Sequence, residues 1–139
     1  NSMAIPAGRI MLQRIEELLQ QGASFSIETT LATRSYLQLV KRAQAEGYVV
    51  NILFFWLESP ELAVQRVAQR VSEGGHDIAP DVIRRRYELG LKNFFHLYKD
   101  AVDTWTLVDN ACNPRHVIAT DEDILDVELY KKIETYVND

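Results

Sequence analysis

Residues 25–31, Phe25-Ser26-Ile27-Glu28-Thr29-Thr30-Leu31, form an apolar stretch that ends in a carboxylate and two hydroxyls just before a helical pattern begins. In open α/β sheets ligands bind beyond the carboxyl ends of strands, so Glu28 and Thr30 are the leading candidate pair. A carboxylate placed there accepts hydrogen bonds from sugar hydroxyls or amides, and a threonine hydroxyl donates to a phosphate or carbonyl oxygen. The competing reading is capping, in which Thr29, Thr30 and Thr33 satisfy the orphan amides of the next helix. Spacing alone leaves the two readings level.

Arginines supply the second kind of chemistry. Arg84-Arg85-Arg86 follows a Gly74-Gly75-His76-Asp77 loop. At about 100° per residue from Ile83, Arg84 and Arg86 fall on opposite shoulders of the apolar stripe, and Arg85 points away from it. The guanidinium fork suits phosphate oxygens, and a mobile arginine-bearing segment can neutralise charge on a transferring phosphoryl group. A solvated face paired with Glu88 or Asp81 explains the same residues. Arg66 and Arg70 lie one turn apart, opposite their own apolar stripe, and Arg70 is nearer the Gly74-Gly75 loop. Asp109-Asn110 closes a strand pattern where a nucleotide base or ribose would be met, although Asn, Asp and Pro together also make turns. His76 and Asp77 are adjacent in a loop and do not face each other, and His96 and His116 lie in other elements, so no metal site is expected.

The elements that must position these residues alternate. Met11, Ile15, Leu18 and Leu19 give a helix over 9–21 stopped by Gly22. A short strand is expected over 24–28, then a helix capped by Thr33 or Ser35, with Tyr36, Leu39, Val40 and Ala43 on one side, ending at Gly47. Residues 48–57 are nearly all apolar and β-branched or aromatic, the pattern of a central strand buried on both faces. Ser59-Pro60-Glu61 starts a helix with Pro60, Val64, Val67, Ala68 and Val71 inward. Pro80 starts another, with Ile83, Tyr87, Gly90, Phe94 and Tyr98 along one side. A strand over 104–108, a turn at Asn113-Pro114, a short strand over 116–119 and a helix from about 123 complete the chain. The fold class is α/β, three-layer, with a mostly parallel sheet flanked by helices.

Composition narrows the function classes. The 139 residues, 47% hydrophobic and 25% charged, suit one domain. A net charge of −5 disfavours wrapping a polyanion, so nucleic acid is not an expected partner. One cysteine, no signal peptide and no long apolar run point to a cytoplasmic setting without a membrane partner.

Taken together, Ala7-Gly8-Arg9, the run from Phe25 to Leu31, Gly47-Tyr48, Trp56-Leu57, Ser59-Pro60-Glu61-Leu62-Ala63, Arg66-Val67-Ala68-Gln69-Arg70-Val71, Gly74-Gly75-His76-Asp77-Ile78, Ile83-Arg84-Arg85-Arg86-Tyr87 and Asp109-Asn110 resemble the zeta-toxin family of P-loop kinases. The likeness is strongest to its bacterial branch of predicted ATPases and runs from about residue 7 to 119. It implies a phosphotransferase that uses ATP and Mg²⁺ on a hydroxyl of a UDP-N-acetylglucosamine-like sugar nucleotide. Glu28 and Thr30 match the family's Glu-x-Thr acceptor contacts, and Arg70 matches a phosphate-reaching arginine. Residues 73–86 match the lid. The family's second arginine falls where this chain has His76-Asp77, so Arg84 or Arg86 takes its place or the role is missing.

The family's G-x-x-x-x-G-K-[ST] loop occurs nowhere in the sequence, and the family's catalytic aspartate would precede Ala7. That loop supplies backbone donors, a lysine and a metal-binding hydroxyl. The expectation is therefore the carboxyl-terminal two-thirds of a P-loop kinase, inactive by itself and binding neither ATP nor Mg²⁺ tightly, or else a non-catalytic binding or interaction module. The family's first strand would lie between the strand ending at Glu28 and that over 48–57. Unpaired edges there would invite self-association, and an antitoxin is the other partner the resemblance suggests.

Overall fold

The computed structural model describes residues 4–111 and 114–139, with side chains from Arg9 onward. Cys112 and the Asn113 half of the anticipated turn lie outside the described residues. Helix α1, Ala4–Gln21, ends at Gly22, whose φ of +69° lets the chain reverse while its amide reaches Leu19 O at 3.2 Å. Helix α2, Ser35–Ala45, lies against it. Ile15, Leu19 and Ala43 form a small buried cluster there, with Phe25 and Tyr48 packed on its rim. An ion pair between Arg42 and Glu16 ties the two helices outside that cluster.

The expected cap of α2 is not formed. Arg34 occupies the capping position without a side-chain bond, because the Thr33 and Ser35 hydroxyls bond to each other at 2.8 Å.

The sheet has three strands in the order β1 (Asn51–Trp56), β2 (Thr104–Asp109), β3 (His116–Thr120). β1 and β2 are parallel, with Phe54 opposite Leu107, whereas β3 runs antiparallel to β2. Helix α3 (Pro60–Ser72), helix α4 (Pro80–Asn93), a π-helical turn (Phe94–Tyr98) and the short α5 (Lys99–Ala101) make the crossover from β1 to β2. Phe94 and Tyr98 are fully buried, and Phe94 stacks on Phe54 at 4.7 Å and meets Trp105 edge-on at 5.6 Å. Leu107, Ile118, Tyr130 and Ile133 close the same core, the last two from α6 (Val127–Val137). The chain is thus a mixed α/β fold with flanking helices.

Four local expectations are corrected. Residues 24–28 form no strand. Phe25 instead packs edge-on against Tyr48 at 6.2 Å in the small cluster, while Leu31 enters the main core, so the segment is stretched between two cores rather than laid beside a strand. The strand expected over 48–57 is shorter, and it is an edge strand rather than a central one. Ile52, Phe54 and Trp56 face the core, but Leu53 and Phe55 are 57% and 42% exposed on the opposite face.

No residue of α3 is fully buried, and Ala68 is exposed, because α3 packs mainly on α4. Its start is as expected, with Ser59 Oγ accepting from Leu62 N at 3.2 Å and Pro60 in the first turn. Helix α6 begins at Val127 rather than near 123, since Ile124 still bridges Ala119 and the Asp126 carboxylate caps Leu129 N at 3.1 Å. Among the described residues no helix is long and apolar enough to cross a membrane.

Candidate functional site

The Glu28–Thr30 segment has no regular structure, yet its carboxyl-terminal side is held firmly. Asn93 Nδ2 donates to Leu31 O at 2.8 Å and Tyr98 OH donates to Thr33 O at 2.6 Å, so both anchors come from the helix behind it. Just before them Thr30 O lies against Gly90. A Cβ on that glycine would come within 2.0 Å of the oxygen, so only the bare backbone admits this approach. Leu31 sits at φ +59°, a left-handed conformation a leucine adopts at a cost offset here by burial of its side chain.

The three hydroxyls divide. Thr29 Oγ1 accepts from Leu31 N at 3.1 Å and Thr33 bonds Ser35, so both serve local structure. The Glu28 and Thr30 side chains are exposed and have no partner among the described residues.

The carboxyl ends of β1 and β2 are joined by Asn110 N donating to Trp56 O at 2.8 Å. Asp109 Oδ1 accepts from Ala111 N at 3.0 Å, which is the turn-forming role that its neighbours suggested. Arg66 was the lesser of two candidates in its helix, and the structure gives it a structural bond, Nη2 to Asn110 O at 3.1 Å. Tyr87, on α4, donates to Leu57 O at 2.6 Å just past β1, and burial pushes its phenol well above the usual range. Neither Tyr87 nor Asn93 was singled out for a polar role. The available signal was a polar group beside an apolar helix stripe, which had to find a partner once buried.

The arginines separate by flank. Arg84 approaches Asp81 at 3.5 Å and Glu61 at 3.9 Å, so its charge faces α3. Arg86 is four residues before Gly90 and therefore on the flank of α4 that meets Thr30, exposed and without an ion pair among the described residues. Arg70 is exposed near the carboxyl end of α3, where Gly75 N donates to its carbonyl at 2.7 Å. Two hollows, one between the end of β1 and α6 and one beside Trp105, Asp121 and Tyr130, are lined by neither Glu28 nor Arg70. His76 and Asp77 are exposed, and among the described residues no group of three or more His, Cys, Asp or Glu could hold a metal ion.

Comparison with known proteins gives these positions a context. The family profile for Zeta toxin matches residues 3–132. An uncharacterised protein of Haemophilus influenzae is 32% identical over 83 residues, covering 60% of this chain and 59% of that protein. The chain thus spans about three-fifths of the length of that relative. No solved structure matches it. With its profile match extending over nearly the whole sequence, the chain belongs to the zeta toxin family.

Proposed function

We propose that this chain carries the acceptor-binding part of an ATP-dependent phosphotransferase acting on a hydroxyl of a small sugar nucleotide of the UDP-N-acetylglucosamine type. The observation that carries the reading is the docked loop, in which Asn93, Tyr98 and Gly90 fix the backbone from Thr30 to Thr33 while the Glu28 and Thr30 side chains stay open to a ligand. Glu28 accepts from acceptor hydroxyls and Thr30 donates to it. Arg86, on the same flank of α4, is the better placed of the two lid-helix arginines to neutralise phosphate charge, and Arg84 is engaged elsewhere. Arg70 serves the same charge from α3, and Asp109 and Asn110 contact the nucleotide from the end of β2.

The donor set decides how far the proposal goes. Mg²⁺ is held by one or two carboxylates together with nucleotide phosphates, and among the described residues there is no group of three or more His, Cys, Asp or Glu that would hold it without the nucleotide. The 139 residues also contain no G-x-x-x-x-G-K-[ST] loop, so binding and charge neutralisation are assigned here and no transfer step is. That sequence fact favours a second reading, a binding module that uses no ATP.

Calorimetric titration distinguishes them, with UDP-N-acetylglucosamine and ATP added separately to this chain and to Glu28→Gln. Loss of a hydrogen bond to a charged group is worth about 1.5–3 kcal/mol, so the variant should bind the sugar nucleotide about ten-fold more weakly or worse. Equal affinity in both proteins would remove Glu28 from the site. ATP affinity comparable to that for the sugar nucleotide would set aside the binding-module reading.

A further inference from the structure

A hollow at the carboxyl end of β1 is lined by neither Glu28 nor Thr30. It has a volume of about 240 Å³ and lies between Trp56 and Glu58 at the strand end, Tyr87 on α4, and Lys132, Thr135 and Tyr136 on α6. On α4 the Tyr136 hydroxyl donates to Glu88, whereas the Thr30 loop meets that helix at Gly90, so α6 and the loop contact different residues of it. The two places are therefore separate.

Its walls combine an apolar lining with one pair of opposite charges. The Tyr87 and Tyr136 hydroxyls are committed to Leu57 O and Glu88, which leaves their rings, with that of Trp56, as fixed walls. Glu58 and Lys132 line the same hollow but bond neither each other nor any other described residue. Both side chains are exposed, so each charge is open to a ligand. A molecule with both charges would satisfy each at once and would place its apolar part against the rings. The volume falls below the roughly 300–1,000 Å³ that holds drug-sized ligands, which restricts the occupant to one ring on a short stem. Position supports the same conclusion, because the crevice beyond a strand's carboxyl end is where open α/β sheets take ligands. Thr135 and Tyr136 also lie beyond the span that matches the family profile, so this hollow is partly built from residues outside the shared pattern.

We propose that this hollow binds a small zwitterion bearing a single flat ring, its ammonium group on Glu58 and its carboxylate on Lys132. The class is that of an aromatic α-amino acid.

The test uses L-phenylalanine, 3-phenylpropionate and phenethylamine as probes, followed by calorimetry and by the Trp56 indole N–H resonance. L-Phenylalanine should shift that resonance saturably, and each singly charged analogue should bind at least ten-fold more weakly. Glu58→Gln and Lys132→Met, shown to be folded by an unchanged amide spectrum, should each lower the L-phenylalanine affinity at least ten-fold. No saturable shift, equal affinity for the three probes, or full affinity in both variants would overturn the proposal.

Discussion

The segment before α2 and the segment between α3 and α4 are both irregular and both carry candidate site residues, but they are secured very differently. The first is tied down by Asn93, Tyr98 and the bare backbone of Gly90. The second, from Glu73 to Ala79, is exposed except for the half-buried Ile78 and is held chiefly by short-range bonds to the end of α3, among them Gly75 N to Arg70 O at 2.7 Å. Regular secondary structure is thus a poor guide to which loop is organised. In the proposed function this division is useful, since an acceptor needs a fixed cradle whereas charge neutralisation requires a segment that can close over it.

The largest expected effect breaks the fixed side. Gly→Ala within a helix ordinarily stabilises by about 0.5–1 kcal/mol. At Gly90 the sign should reverse, because the new Cβ would meet Thr30 O at 2.0 Å. Overpacking of this kind costs about 3 kcal/mol, read as a lower denaturation midpoint. A midpoint at or above that of the wild type would mean that the loop is not docked.

Tyr98→Phe comes next. It leaves Thr33 O without its buried donor and should cost about 1–2 kcal/mol, with faster amide exchange across residues 30–34 as the specific sign.

On the open side the same kinds of change should matter less. Arg70→Ala should alter stability by less than about 0.5 kcal/mol, as exposed substitutions usually do. A loss comparable to that of Tyr98→Phe would erase the contrast between the two segments.

The smallest effect lies outside both segments. Asp103 accepts from Val50 N at 2.7 Å and from Gln44, and these bonds, the backbone one first, hold its carboxyl below the usual range. Its contribution is present above the unfolded value of about 3.9 and is lost as pH falls through the lower folded value. Urea midpoints measured from pH 6 down to pH 3 should therefore decline less steeply in Asp103→Asn.

Periodicity alone found most of the helices. Of the stripe of Ile83, Tyr87, Gly90, Phe94 and Tyr98 all but the half-buried Tyr87 are buried, and Ser59-Pro60 starts α3 where its capping chemistry requires. What escaped depended on partners distant in sequence. Residues 25–27 have a strand's composition, but a strand exists only through pairing, and Phe25 and Leu31 are claimed by two different cores. The apolar run over 48–57 suggested burial on both faces, but its covering on one face depends on elements far along the chain. In the candidate site, Glu28 and Thr30 were legible as polar groups after an apolar run. The anchors Asn93 and Tyr98 were not, because their bonds span 62 and 65 residues. Arg86 was separated from Arg84 only when Gly90 revealed which flank of α4 faces the loop.

The wide turn from Phe94 to Tyr98 has a consequence for any attempt to shorten this protein. A π turn accommodates one residue more than the regular helix around it. Removing a single residue there would let the backbone relax into ordinary α geometry with the helical turns on either side still in register, since the extra residue is what the wide turn absorbs. Tyr98 and Lys99, on the downstream side, would keep their places beside Thr33 and over the rings of Trp105 and Tyr130. One codon deleted within the turn would therefore be absorbed locally, whereas one deleted from the regular helix upstream would rotate everything after it by about 100° and part Tyr98 from Thr33.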